Sequence, residues 1–281
     1  MMRARLDGPQ VCLTVVQDLS FSGLTNDHLS KLNISPAGSL ELKPMSVLAE
    51  LAKKTQIVGK DDIWSSENLY RHLQRLETLV PKSNEAAARA WIDAFFFRVS
   101  AMVPPDEMMV LSVEQQIPPT AVKPSSSTTL HGLIDYTAAT AVKSVADKFL
   151  SDPTIERLKS MSGLVVTEAK SSSGAPTHLR DHIPQAIGEM YACAKALGKS
   201  VVRGALTVGY RWIFLIVVMN ANGDGAKYWK SRGIGILTTT PPEDTAITSP
   251  WPDVIAGILA HWMKHSFEGI KDGDDWFEVE L

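Results

Sequence analysis

The segment Leu164-Val165-Val166-Thr167-Glu168-Ala169-Lys170 ends a β-prone run on an acid and an amine two residues apart. On a strand, alternate side chains share a face, so Glu168 and Lys170 stand side by side, roughly 7 Å apart. Ala169 then points the other way, into the core. Burying such a pair is costly unless it has partners or a chemical task. Upstream, Leu130-His131-Gly132-Leu133-Ile134-Asp135-Tyr136 carries one carboxylate among apolar neighbours. Paired beside the first segment, it brings Asp135 next to Glu168. Two carboxylates repel unless a cation lies between them, and Mg²⁺ prefers carboxylate and water oxygens. The expected chemistry is therefore polarisation of a phosphate and activation of a water by Mg²⁺ on Asp135 and Glu168, with Mn²⁺ able to substitute. Lys170 would orient that water or stabilise developing negative charge.

These residues need a frame. Ser83 or Asn84 can cap a helix from Glu85 to about Met102, stopped by Pro104 and Pro105. Three strand-like segments follow: Met108 to Val113, Leu130 to Ala138 and Leu164 to Lys170. Pro118 to Thr129 reads as a loop, and residues 139–162 as a helical insertion centred on Ala139 to Leu150. A helix from about His182 to Leu197, ended by Gly198, precedes strands at Val201 to Tyr210 and Trp212 to Met219. A turn holds Asn222 to Gly225, and Pro250 to His265 reads as a late helix. The order predicts an α/β protein with a mixed central sheet flanked by helices. Residues 1–80 read as a mostly helical accessory region, with helices over Leu40 to Lys54 and Ser66 to Leu79 and a short β-prone run at Val11 to Val16. Residues 81–281 form the main domain, with an acidic C-terminal extension.

The Gly-x-x-Asp of Gly132 to Asp135, the Glu-x-Lys of Glu168 to Lys170 and a following helix that carries Gln185 resemble the PD-(D/E)xK nuclease superfamily. The resemblance covers about residues 84–219, roughly half the chain. It implies a restriction-endonuclease-like α-β-β-β-α-β core. It also implies a metal-dependent nuclease that hydrolyses nucleic-acid phosphodiesters, DNA before RNA. In that family the Asp and Glu bind metal and the Lys assists the attacking water, here Asp135, Glu168 and Lys170. The same resemblance assigns Gln185 to the site, with Tyr191 as its alternative, and Glu85 as a further metal ligand. Ile134 stands where the name-giving Pro would be. The alternative reading is a non-catalytic effector module on a nuclease-like fold, binding nucleic acid or protein.

Other features point less sharply. His178 and His182, and His261 and His265, have zinc-like i, i+4 spacing but no third ligand. Ser171 to Gly174 lacks the phosphate-loop pattern. His178, Arg180, His182, Lys195, Lys199 and Arg203 are candidate phosphate contacts. Trp212, Tyr228 and Trp229 are candidates for base stacking, with core packing the stronger expectation for Trp212. The net charge of −3 excludes a basic nucleic-acid binder overall, but from Lys170 to Arg232 nine Lys/Arg face three Asp/Glu, a balance of +6. From Glu243 to Leu281 two Lys face nine Asp/Glu, a balance of −7. That tail is expected to be solvated or to fold back on the basic stretch. Two cysteines make no disulfide framework and favour a reducing, intracellular compartment, cytoplasm or nucleus. Trp212 to Met219 is too short to span a membrane. The oligomeric state is open, a homodimer included.

Overall fold

Runs of β-branched and apolar residues assemble into one large mixed sheet, with helices against both faces. The computed structural model describes residues 17–59, 63–122, 128–171, 178–240, 244–269 and 276–280. In chain order, β1 (Gln17–Ser20), α1 (Asn26–Lys31) and β2 (Ile34–Leu42) come first. Then α2 (Met45–Ile57), α3 (Ser66–Leu79) and α4 (Glu85–Ser100) follow. A long antiparallel ribbon joins β3 (Glu107–Ala121) to β4 (Thr128–Val142). Two short helices, α5 (Lys143–Ser151) and α6 (Ile155–Leu158), lead to β5 (Gly163–Ala169). Beyond α7 (His178–Asp181) lie α8 (Ile183–Leu197), β6 (Val201–Thr207), β7 (Arg211–Met219) and β8 (Ala226–Ser231). The chain closes with β9 (Ile234–Gly235), β10 (Leu237–Thr240), β11 (Asp244–Ile247), α9 (Trp251–Lys264) and β12 (Phe277–Glu280).

The main sheet runs β1-β4-β5-β6-β7-β8-β2-β12, with β3 also on β4 and β9 on β7. Strands β5 and β6 are parallel, and α8 makes the crossover between them. One face of the sheet packs α8 through Leu164, Val166, Ile187 and Met190. The other packs α4 and α9 through Val165, Ala169, Phe95 and Ile258. Among the described residues no helix is long and apolar enough to cross a membrane.

Local chemistry sets most boundaries. Asn84 caps α4 by accepting the Ala87 N–H at 2.8 Å. Gly198, with φ of 66°, ends α8 in the left-handed conformation that glycine adopts without strain. Leu69, Leu73 and Leu76 form the buried stripe of α3.

Four expectations need correcting. Ala139 to Val142 is strand, not the start of the helical insertion; helix begins at Lys143. Alanine favours helix locally, but Ala139 pairs with Val110 on one side and Leu164 on the other, and tertiary pairing overrides propensity. Strand β3 continues past Val113 to Ala121, and Pro118 and Pro119 are accommodated at a register shift between Ile117 and Thr120. The described ends of the expected Pro118–Thr129 loop are therefore strand. Leu40 to Leu42 belongs to β2, and the helix there begins only at Met45. Val11 to Val16 lies outside the described residues. Residues 17–80 supply β1 and β2 to the main sheet as well as three helices.

Candidate functional site

Strand β4 changes partner along its length. It pairs with β5 from Tyr136 to Thr140 and with β1 from Thr128 to His131. Asp135 lies in the gap between the two ladders. Its Oδ2 accepts the Ala169 N–H at 2.8 Å, so a side chain replaces the backbone acceptor that the ladder would have supplied. In the β3–β4 ribbon Val113 pairs with Tyr136 and Gln115 with Ile134, a register that carries Glu114 opposite Asp135. Glu114 has φ of 56°, a conformation that is unfavourable for a residue with a side chain.

Arg89 on α4 occupies the other side of Asp135. Its guanidinium donates to Asp135 Oδ1 at 2.8 Å, Glu114 Oε1 at 2.9 Å and Glu85 Oε1 at 3.2 Å. One cation thus gathers three carboxylates. The hydrogen bond to Glu114 does most to hold the guanidinium charged.

Strand β5 is buried throughout and delivers Glu168 at its end, 2% exposed. Glu168 Oε1 accepts from Lys170 Nζ at 2.5 Å and from Gln185 Nε2 at 2.5 Å. Gln185 Nε2 also donates to Glu189 Oε1 at 2.9 Å. Gln185 and Glu189 are one turn apart on α8, which sets both on the same side of that helix. Glu189 is fully buried, and its Oε2 has no hydrogen-bond partner. It faces the Glu168 carboxyl, where only a proton on one of the two acids can provide a donor.

Burial pushes Glu168 up to about 7, the Asp135 charge adds to this, and Lys170 opposes it. Burial, followed by the Glu168 charge, raises Glu189 well above the ordinary carboxylate range. For Lys170 burial works against the charged form, but the Glu168 carboxylate outweighs it and the ammonium is held. Around the site, Glu85, Glu114, Asp135, Glu168 and Glu189 meet Arg89 and Lys170, so carboxyl groups outnumber cations by five to two among the described residues.

No group of three or more His, Cys, Asp or Glu is arranged to hold a metal ion among the described residues. Mg²⁺ needs less than that, since it takes one or two carboxylates and keeps several waters. Asp135 and Glu168 offer the hard carboxylate oxygens that such an ion takes, within an excess of negative charge.

The four expected residues Asp135, Glu168, Lys170 and Gln185 come together. Glu85 reaches the group through Arg89 and is more exposed than the rest. Tyr191 instead donates to the Val122 carbonyl at 3.0 Å and ties the ribbon to α8. Glu189, Arg89 and Glu114 went unread in the sequence. Glu189 and Arg89 were signalled there by i, i+4 spacing from Gln185 and Glu85; Glu114 carries no such signal.

The remaining candidates separate. Arg203 is buried under Trp262, its guanidinium 5.3 Å from the ring, and is not presented to phosphate. Lys195 donates to the Gly223 carbonyl at 2.6 Å, and Lys199 lies over Phe267. Trp212 is buried and donates to the Gly209 carbonyl at 2.8 Å. Tyr228 is buried in the core as well. The His261 and His265 rings pack 4.5 Å apart, and His265 Nδ1 meets Glu268 at 3.0 Å. The side chain of His178 and residues 172–174 lie outside the described residues. A cavity of about 460 Å³ between α2, α4 and α9 contains none of the site residues.

Compared with known proteins, the chain matches no family model, and no curated protein is significantly similar to it.

Proposed function

We propose that the protein is a metal-dependent nuclease that hydrolyses phosphodiester bonds, in DNA before RNA, on a restriction-endonuclease-like core formed by α4, β3, β4, β5, α8 and β6. The observation that carries this reading is the meeting of Asp135, Glu168 and Lys170 at one split in the sheet, with Asp135 docked on the Ala169 N–H between the other two. Asp135 and Glu168 would hold the ion. When bound, Mg²⁺ or Mn²⁺ supplies Lewis-acid polarisation of the phosphate and lowers the pKa of an attacking water. Lys170, charged and close to Glu168, orients that water or meets the negative charge that develops on the phosphate. Gln185 fixes the Glu168 carboxyl from the side of α8. Arg89 neutralises Asp135 in the absence of a cation.

That last contact also favours a second reading, a nucleic-acid- or protein-binding module on the same fold. There the Arg89–Asp135 pair is the finished structure rather than a resting state.

Calorimetry with Mn²⁺ separates the two. The nuclease reading expects a binding heat that Asp135→Ala abolishes; a wild-type protein with no such heat loses the metal site. Plasmid, single-stranded DNA and RNA are then incubated with and without Mg²⁺. Cleavage that Glu168→Ala and Lys170→Ala leave unchanged would place the chemistry elsewhere.

A further inference from the structure

Glu189 has no task in the chemistry described so far, yet it sits beneath it. We propose that Glu189 is a positioning residue: it holds the Gln185 amide so that Gln185 fixes the orientation of the Glu168 carboxyl. This inference rests on the nuclease reading for its catalytic consequence, but not for its geometry.

A glutamine amide has two N–H donors. Gln185 Nε2 lies 2.5 Å from Glu168 Oε1 and 2.9 Å from Glu189 Oε1, so each donor has a carboxyl oxygen as acceptor. The amide is thereby held against rotation. Without Glu189, one N–H loses its partner and the Gln185 side chain is free to leave Glu168. Glu189 stands one helical turn from Gln185 on the buried side of α8, so its own position is fixed by the packing of Ile187, Met190 and Cys193.

A purely structural role accounts poorly for this acid. Its Oε2 has no hydrogen-bond partner, and it faces a second carboxyl, that of Glu168. Replacing an imperfectly paired buried acid by an apolar residue of similar volume is often neutral or stabilising. A sheet-packing helix would therefore accept Met at this position. Supporting groups behind a metal ligand are worth about 10- to 100-fold in activity or metal affinity.

The test compares wild type, Glu189→Met and Glu189→Gln in the full chain. The Gln185 side-chain amide, assigned by its loss in Gln185→Leu, is followed by NMR in metal-free protein. Melting temperature, Mn²⁺ affinity and steady-state cleavage of plasmid are measured alongside. Glu189→Met is expected to keep or raise the melting temperature. Its Gln185 amide should lose its distinct shift and exchange faster, and kcat should fall about tenfold or more with KM within about twofold. Glu189→Gln, which keeps an acceptor for Gln185, should recover most of the amide signal and of kcat. A Gln185 amide unchanged in folded Glu189→Met overturns the proposal. So does an amide that responds while kcat and Mn²⁺ affinity stay at wild-type values. Should Glu189→Met fail to fold, the amide and kcat of Glu189→Asp, whose shorter carboxyl withdraws from Gln185, decide by the same criteria. A wild type that cleaves nothing while its amide still responds brings down the nuclease reading and leaves the Glu189–Gln185 positioning supported.

Discussion

At the residue scale the site is defined by acids held where acids are costly. Glu168 is pushed up to about 7 and Glu189 well above its usual range, each first by burial. Both bind their proton more tightly folded than unfolded. The stability they contribute is thus fully present below the ordinary carboxylate value of 4.5; for Glu168 it is lost as the pH rises through about 7, and for Glu189 as it rises well past the ordinary carboxylate range. With chelator present, the melting temperature should fall between about pH 5 and about pH 8, and Glu189→Gln should flatten that fall. Equal slopes for wild type and Glu189→Gln would remove Glu189 from the account. Arg89 yields a second expectation. It is partly exposed, yet it ties Asp135, Glu114 and Glu85 together. Arg89→Ala should cost about 2 kcal/mol in metal-free protein, less than the value for a fully buried pair because solvent screens part of it. The same change should tighten Mn²⁺ binding, since the competing cation on Asp135 is gone. Weaker Mn²⁺ binding in Arg89→Ala would mean that Arg89 supports the ion instead of yielding to it. Glu168 and Lys170 were legible in the sequence because strand alternation alone puts them on one face. Arg89 and Glu114 were not, because their meeting depends on how α4 lies against the β3–β4 ribbon.

At the element scale the decisive feature is the split in β4. Its pairing passes from β5 to β1 over Gly132 to Asp135, and that opening gives the Asp135 side chain the Ala169 N–H. Gly132 makes the crossing possible. Its φ is 150°, and a Cβ there would lie 2.6 Å from the Phe21 ring. Gly132→Ala should therefore destabilise the protein by about 1–3 kcal/mol in urea unfolding and weaken Mn²⁺ binding through Asp135. A neutral Gly132→Ala would show that the ribbon can pass β1 without this close contact. The run helix, three strands, helix, strand was readable from hydrophobic pattern and turn residues, and the bounds of α3 and the cap of α4 agree with it. The length of β3 and β4 was not. Pro118, Pro119 and the alanines after Thr137 look like loop and helix locally, and only pairing across the ribbon makes them strand.

At the scale of the whole molecule, charge and the N-terminal region acquire places that no local pattern could give. The basic balance of the Lys170 to Arg232 stretch is not one phosphate-facing surface. Arg203 is buried, whereas Lys227 and Lys230 project from β8, on the side of the sheet order away from β5. Strand β12, from the end of the acidic stretch, lies two strands beyond β8, across β2. Strand β2 therefore joins β8 to β12, and α2 packs on α9. Asp253, fully buried in the first turn of α9, binds the two regions further. It accepts from Ser66 Oγ at 2.6 Å, Gln56 Nε2 at 2.8 Å and Tyr70 Oη at 3.2 Å, donors carried by α2 and α3. Its charge is met by neutral donors and by the positive end of the helix. Asp253→Ala strands those donors and should cost about 2–4 kcal/mol, read as a lower urea midpoint with unchanged m-value. A chain beginning after residue 80 loses β2 and every one of these donors, and it bares the edge of β8. It should be insoluble or show no cooperative unfolding transition. A cooperative, soluble protein from residue 81 onward would instead establish the N-terminal region as a separable accessory to a core that stands alone.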